Sequence, residues 1–179
     1  MLRLAVLLTV AASTGFAQDS RHIAEPSIPA ACATLEAKIG RMGLSIYPDD
    51  ENKPDTLRIQ KALDECTPGH AVVLKRASER LDAFLSGPLQ LRRGIVLVVD
   101  RDAYLFASRN PRDYDTRSGI CGTITQGGPR GCKALINGEG VDDAGVMGDG
   151  VIDGRGGEVM LGQKMTWWNL ADLARKGGG

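Results

Sequence analysis

Between Ala71 and Asn137 the sequence consists of short runs of strand type, with no helical pattern between them. The runs read "AVVLK", "LDAFLSGPLQL", "GIVLVVD", "AYLFASR" and "ALIN", and most of them are bounded by Gly, Pro or Asp. Short apolar or alternating runs between turn residues are typical of β-strands. In "LDAFL" we expect Leu81, Ala83 and Leu85 to share one face of a strand.

The run "GIVLVVD" indicates how these strands are buried. Ile95, Leu97 and Val99 lie on one face of the strand, and Val96 and Val98 lie on the other. A strand that is apolar on both faces is buried on both faces. The strand region therefore lies inside the protein rather than at a half-solvated surface.

Helical patterns precede the strands. In "AACATLEAKIG" the residues Ala31, Leu35 and Ile39 are four apart and Gly40 follows, which predicts a short helix with a glycine stop. The segment "DTLRIQKALDEC" predicts a second helix with Asp55 as its N-cap. The apolar face of that second helix comprises Ile59, Ala62, Leu63 and Cys66.

Helices followed by successive short strands do not fit a doubly wound α/β sheet, so a solenoid or a barrel remains. In a parallel β-helix each coil stacks on the next, with buried strands and projecting turns. Short strands with two apolar faces fit that architecture. With 179 residues and 42% hydrophobic residues, we expect one domain with one core.

The first seventeen residues, "MLRLAVLLTVAASTGFA", have the pattern of a secretory signal. Arg3 precedes an apolar run, and the small residues Gly15 and Ala17 have the spacing that a signal peptidase prefers. A membrane anchor would need about 20 apolar residues, roughly twice the length of this run. We expect cleavage near Ala17, an extended lead-in over residues 18–28, the folded domain over 29–179, and a secreted or periplasmic location.

The four cysteines of an exported chain are expected to pair. Three pairings are possible, and we favour Cys32 with Cys66 and Cys121 with Cys132, because each pair closes a loop bounded by turn residues. A zinc site would need ligands at C-x₂-C spacing or nearby histidines. His22 and His70 are in neither pattern, so no metal is expected.

Charge gives no support to a nucleic-acid partner. The sequence has 22 basic and 22 acidic side chains, and loss of a segment whose only charged residue is Arg3 leaves 21 basic against 22 acidic, a net charge of −1. Nucleic-acid-binding domains concentrate positive charge. After the signal, no apolar stretch is long enough to span a membrane, so no membrane partner is expected either.

The stretch "GVMGDGVIDGRGG" has six glycines and two aspartates in thirteen residues. It lacks the third glycine of a dinucleotide loop and the Gly-Lys-Ser/Thr of a phosphate loop. As a calcium loop it has Val151 and Met160 where ligands are needed. We interpret it as strand, turn and strand, with Asp149 and Asp153 serving turns and with Val146, Val151 and Ile152 filling the interior.

In order and spacing, the segments "DTLRIQKALDEC", "AVVLK", "AFLSGPLQL", "GIVLVVD", "AYLFASRNPRDY" and "GDGVIDGRGG" resemble the N-terminal part of family 28 glycoside hydrolases, the polygalacturonases. The resemblance covers roughly residues 29–176. It implies a right-handed parallel β-helix with a capping α-helix, here incomplete. It also implies hydrolysis of α-1,4 links between galacturonic acid units of pectin, without a metal or other cofactor.

The catalytic motifs of that family are absent. The family carries its aspartates in Asn-Thr-Asp and Asp-Asp, a histidine in Gly-His-Gly and cations in Arg-Ile-Lys, and the sequence has no such tripeptide. Asp49-Asp50 and Asp142-Asp143 lack the flanking glycine and downstream histidine, and His70 lacks the second glycine. We therefore assign no catalytic residue. The resemblance implies that the catalytic motifs lie beyond residue 179 and that the chain alone is inactive.

Other residue types suggest binding roles. Trp167 and Trp168 could stack on a sugar, but they lie in a helix predicted over Met165 to Lys176, where packing is the better interpretation. Its apolar face comprises Trp167, Leu170, Ala171 and Ala174. The cations that could meet an acidic polysaccharide are Arg92, Arg93, Arg109, Arg112 and Arg117, but aspartates are interspersed among them.

Two alternatives to the hydrolase remain at this point. One is a non-catalytic β-helical module that binds acidic polysaccharide. The other is a polysaccharide lyase of the same fold, which would need clustered calcium-binding aspartates that the sequence does not show. A solenoid that stops in mid-stack would also expose the edge of its final coil, so we expect the chain alone to be marginally stable or to self-associate through that edge.

Overall fold

The computed structural model describes residues 26–123 and 131–177, so the predicted signal segment lies outside the described residues. The described chain has eleven strands, two α-helices and two short 3₁₀ turns. The strands are β1 (Ala31–Glu36), β2 (Arg41–Met42), β3 (Ser45–Ile46), β4 (His70–Lys75), β5 (Ala83–Ser86), β6 (Leu89–Gln90), β7 (Ile95–Val99), β8 (Tyr104–Ala107), β9 (Ile136–Asn137), β10 (Gly145–Met147) and β11 (Val151–Asp153). The helices are α1 (Thr56–Glu65) and α2 (Trp167–Gly177).

Besides the antiparallel pair β2-β3, the described strands form three parallel sheets of a β-helix. Their orders are β1-β4-β7-β10, β5-β8-β11 and β6-β9, and every neighbouring pair in them is parallel. Val96 pairs with Ala71 and with Gly145, so equivalent positions are 25 and 49 residues apart along the chain. We call β1 the first coil, β4 to β6 the second, β7 to β9 the third, and β10 and β11 the fourth.

The core fills the interior of the coils. Leu97 and Leu105 of the third coil are fully buried there together with Leu74 and Phe84 of the second. All five residues of β7 are buried, with Val96 and Val98 in a separate cluster on the outer face. The prediction of a strand buried on both faces is confirmed.

Helix α1 closes the first end of the solenoid. Ile59 and Leu63 are fully buried in the interior core, and the Gln60 amide exchanges hydrogen bonds with the Gln90 backbone at 2.8 and 3.0 Å. Asp55 precedes the helix, as predicted, but its carboxylate does not cap it. That carboxylate accepts instead from Arg58 Nε at 2.9 Å.

The helix predicted over residues 30–40 is wrong, because Ala31–Glu36 is a strand parallel to β4. The partly buried Ala33 and Leu35 alternate with exposed neighbours, which is a period of two. The spacing of four between Ala31 and Leu35 satisfies both periods, and ladder pairing with β4 decides the outcome. Leu81 also differs from the prediction, since it lies in a turn and is 40% exposed while Ala83 and Leu85 are buried.

Both predicted disulfides are confirmed. Cys32–Cys66 joins β1 to the end of α1, and Cys121–Cys132 closes the long loop between β8 and β9. In that loop the Tyr114 hydroxyl, which is buried, donates to the Ser108 carbonyl at 2.9 Å. Burial raises the pKa of Tyr114. In the part of the chain that the structure describes, no helix combines the length and apolar character needed to cross a bilayer.

Candidate functional site

The glycine-rich stretch forms the fourth coil, as strand β10, a turn and strand β11. Two of its glycines are required by close approach to the third coil. Gly148 has φ 109°, and a Cβ there would collide with the Val99 carbonyl. A Cβ on Gly150 would lie 2.5 Å from the Asp100 oxygen and 2.8 Å from the Ala103 oxygen. The glycines therefore let one coil stack tightly on the other.

The two aspartates of this stretch have different partners. Asp149 pairs with Arg101 of the third coil at 3.0 Å, and both side chains are exposed. Asp153 Oδ1 accepts from the backbone N–H of Arg155 at 2.7 Å. The Asp153 bond is typical of a turn residue, whereas the Asp149 carboxylate joins the fourth coil to the third through an ion pair.

The prediction that Val146, Val151 and Ile152 fill the interior is wrong in part. Val146 pairs in register with Leu97, and Ile152 with Leu105, so both are aligned with interior residues. They are nevertheless 40% exposed, because no described strand stacks on the fourth coil. Val151 is aligned with Tyr104, which packs against a different cluster that includes Leu85 and Phe106, and Val151 is 43% exposed.

Four charged side chains form a cluster where the fourth coil meets the loop before α1. Arg155, whose side chain is only 1% exposed, pairs with Glu158 at 2.8 Å and with Glu51 through both terminal nitrogens. Arg109 Nε lies 2.8 Å from Glu51 Oε1 and 3.6 Å from Glu158 Oε2. We call these residues the arginine–glutamate cluster. Two positive and two negative charges balance within it.

The cluster perturbs the ionisation of its members. Burial disfavours the charged form of Arg155, but hydrogen bonds and charge from Glu51 and Glu158 outweigh burial and raise the pKa of Arg155 above its ordinary value. Burial acts to raise the pKa of Glu158, but Arg155 beside it holds that pKa below its ordinary value. Arg155 and Glu158 are therefore each held in the charged form at neutral pH.

The sequence reasoning missed this cluster. The sequence pattern predicts a solvated surface position for Arg109, and it indicates no role for Glu51, Arg155 or Glu158. Glu51 and Arg155 are 104 residues apart, so no local spacing connects them. The one sign in the local sequence is a charged residue, Arg155, among glycines. In the structure Arg155 has φ 50°, which is unusual for a residue other than glycine.

The acidic pairs and His70 stay apart from one another. Asp50 lies in the 3₁₀ turn Pro48–Asp50 and pairs with Lys53 at 2.7 Å, and Asp142 pairs with Arg93 at 2.7 Å. His70 Nδ1 lies 3.1 Å from Thr67 Oγ1, on the surface. No group of three or more potential metal ligands occurs within residues 26–123 and 131–177.

The arginines considered for an acidic polysaccharide are largely neutralised by carboxylates. Arg92 pairs with Asp64 at 2.7 Å, Arg93 with Asp142, and Arg112 with Asp115 at 3.3 Å. Arg109 belongs to the arginine–glutamate cluster. These pairs leave little free positive charge for an anionic ligand.

The two tryptophans pack against the protein in different ways. Trp167 meets Tyr114 edge to face, with centroids 5.9 Å apart. Trp168 covers the backbone of Gly156 and Gly157 with its ring and is 71% exposed. Beside them is a cleft of about 270 Å³ whose lining is largely apolar and includes Leu135. Of the predicted apolar face of this helix, only Leu170 is buried, and Ala171 and Ala174 are exposed.

Comparisons with known proteins extend the resemblance. No family model matches the sequence. A polygalacturonase of Ralstonia solanacearum is 42% identical over 168 residues, which are 88% of this chain and 32% of that protein. An endo-polygalacturonase of Pectobacterium carotovorum is 34% identical over 169 residues, 94% of this chain and 38% of its own length. The solved polygalacturonase of Erwinia carotovora superposes with a TM-score of 0.74 at 35% identity, covering 90% of this chain and 39% of that one.

Fold and comparisons together define a parallel β-helix that is similar to the solved Erwinia polygalacturonase. The described chain is polygalacturonase-like over most of its length. It spans about a third of the length of the relatives it matches.

Proposed function

We propose that this sequence provides the scaffold coils of a pectin-degrading glycoside hydrolase of the polygalacturonase type. The observation that carries the proposal is 42% identity to a polygalacturonase over 88% of the chain, supported by the superposition at a TM-score of 0.74. The substrate of such an enzyme is polygalacturonate, cleaved at α-1,4-galacturonosidic bonds. No cofactor takes part in this proposal.

The proposal assigns no hydrolysis to the 179-residue chain by itself. Inverting hydrolysis needs an acid and a base carboxyl about 6.5 to 9.5 Å apart with space for water between them. Asp149, Asp153 and Glu51 instead bind arginines or turn backbone. None of these three carboxyls is therefore proposed as a catalytic group.

We also propose that the chain is exported from the cytoplasm. The signal pattern of residues 1–17, with cleavage near Ala17, would send the chain to the periplasm or the medium, where the two disulfides can form. The mature domain would then start after the lead-in of residues 18–28. The alternative of a separate polysaccharide-binding module has less support, because Arg92, Arg93 and Arg112 are paired with carboxylates.

A chimera tests the proposal. The chain is joined at Lys176 to the residues that follow the aligned region in the Ralstonia polygalacturonase, and reducing ends released from polygalacturonate are measured. We expect turnover by the chimera and none by the chain alone. A chimera with Asp149→Asn and Asp153→Asn should keep its turnover if both residues serve turns. A folded but inactive chimera, or turnover by the chain alone that either substitution abolishes, would refute the proposal.

A further inference from the structure

The two disulfides differ in their access to solvent. Cys32 is exposed and Cys66 is half-buried, and both line a cleft of about 450 Å³ between β1 and α1. Cys121 is fully buried, with its sulfur 3.2 Å from the Tyr114 carbonyl oxygen, although its partner Cys132 is exposed. A thiol in the solvent therefore has access to both cysteines of the first bond but to only one cysteine of the second.

The sulfur that is displaced must also be able to carry a negative charge. In thiol–disulfide exchange a thiolate attacks one sulfur of the bond and displaces the other as a thiolate, which a buried apolar site disfavours. Attack at Cys132 would displace the buried sulfur of Cys121. Attack at either sulfur of Cys32–Cys66 displaces a thiolate that the solvent can reach. Both access and leaving group therefore favour exchange at Cys32–Cys66.

The strand that this bond holds is weakly packed. None of the six residues of β1 is buried, and Leu35 packs against the interior core but is only partly buried. In residues 26–123 and 131–177, β1 pairs with β4 alone. That ladder is irregular at Cys32, which has no partner in β4 although Ala31 and Ala33 on either side of it do. The covalent bond is therefore a substantial part of what holds β1 in place.

Helix α1, at the other side of the bond, has its own attachments. Ile59 and Leu63 are fully buried in the interior core. At the start of the helix, Thr56 Oγ1 accepts a hydrogen bond from the Gly87 N–H at 2.8 Å. The bond thus joins a well-packed helix to a weakly packed edge strand, so we expect its opening to affect β1 before α1.

We propose that Cys32–Cys66 is a thiol-exchange site whose reduction releases β1 from the solenoid and uncovers the edge of β4. One thiolate of a dithiol attacks a sulfur of the bond, and the displaced sulfur leaves as a thiolate and takes a proton from water. The second thiol of the reagent then displaces the protein sulfur from the mixed disulfide. Two electrons pass to the protein, and the reagent becomes a cyclic disulfide. Closure is the reverse reaction, so β1 is covalently joined to α1 only in an oxidising compartment.

Timed reduction under native conditions tests this on the chain with both disulfides formed. The protein is treated with dithiothreitol, free thiols are trapped with N-ethylmaleimide, and the labelled cysteines are mapped by peptide mass spectrometry. We expect Cys32 and Cys66 to be labelled at least about 10-fold faster than Cys121 and Cys132. Hydrogen exchange of the reduced protein should be faster in β1 and unchanged in β7 and β8.

Two paired variants provide the controls. Without the site, in Cys32→Ser with Cys66→Ser, dithiothreitol should not change hydrogen exchange in β1. The matched pair Cys121→Ser with Cys132→Ser keeps the site and should respond as the unchanged chain does. The labelling experiment on the unchanged chain remains decisive if a variant does not fold. Opening of Cys121–Cys132 first or at an equal rate would overturn the proposal. So would unchanged exchange in β1 after reduction, loss of protection in β7 together with β1, or a response that persists without the site.

Discussion

Replacing Arg155 by methionine removes the charge at the centre of the arginine–glutamate cluster while keeping most of the side-chain volume. Its side chain is 1% exposed and binds Glu51, Glu158 and the Ala107 carbonyl. The substitution leaves Glu51, whose side chain is only 9% exposed, with Arg109 as its remaining cation in the cluster. Removing one partner of a buried ion pair leaves an uncompensated charge in the protein.

The size of the destabilisation depends on the ion pairs that Glu51 and Glu158 keep after the substitution. Breaking a buried pair costs about 3 to 5 kcal/mol. Arg109 still lies 2.8 Å from Glu51 and 3.6 Å from Glu158, and it is itself partly exposed, so the lower limit applies. We expect Arg155→Met to lower the free energy of unfolding by about 3 kcal/mol. For a chain of this size that corresponds to a fall in Tm of about 6 to 12 °C.

Urea unfolding at one protein concentration measures this change. The midpoint should fall while the slope stays constant, since the fold is the same. Adding Glu51→Gln removes the excess negative charge that Arg155→Met leaves in the cluster, so the double variant should be less destabilised than the sum of the two single ones. Arg175→Met, which breaks an exposed pair with Asp172 in α2, is the matched control and should leave the midpoint unchanged. An Arg155→Met midpoint equal to that of the unchanged chain would refute the assignment of this cluster as a stabilising element.

Three further changes test other parts of the fold. The pKa of Glu158 is lower in the folded protein than in the unfolded chain. The stabilisation by ionised Glu158 is therefore present above its unfolded pKa of about 4.3 and is lost as pH falls through the lower folded pKa. Because Arg155 causes this shift, the stability of Arg155→Met should depend less on acid pH than that of the unchanged chain. Gly150→Ala should destabilise by about 1 to 3 kcal/mol through collision with the third coil, whereas Gly154→Ala, with open space around it, should have no such effect in thermal melts. Replacing both Cys121 and Cys132 by serine should cost about 3 kcal/mol and replacing Cys32 and Cys66 about 4 kcal/mol in urea unfolding, and the reverse order would contradict the loop-entropy account.

The sequence predicts the fold well where the apolar residues follow only one period, either that of a strand or that of a helix. Ile95 to Val99 is apolar at every position and flanked by Gly94 and Asp100, so only a strand buried on both faces fits. The disulfides also follow, because export and loop boundaries leave one favoured pairing. The strand follows from residues that are neighbours in the chain, and the disulfides follow from the small number of cysteines that can pair.

The failures depend on contacts between distant residues. The segment Ala31–Glu36 satisfies a helical and a strand period equally, and its ladder with β4, about forty residues later, selects the strand. Val146 and Ile152 have strand-like side chains, but their burial depends on whether another coil covers them. The arginine–glutamate cluster joins residues 104 positions apart, beyond any local pattern.

The two strands of the fourth coil have no fully buried residue, and this predicts where instability begins. Arg155 is the buried residue that follows β10 and β11 directly. Besides its backbone ladders, the coil is tied to the third by exposed pairs such as Arg101–Asp149, which contribute little. Arg155→Met should therefore loosen the fourth coil before the others. Hydrogen exchange should show faster exchange in β10 and β11 with unchanged protection in β4 and β7, and equal loss in all four strands would mean that the cluster stabilises the solenoid as a whole.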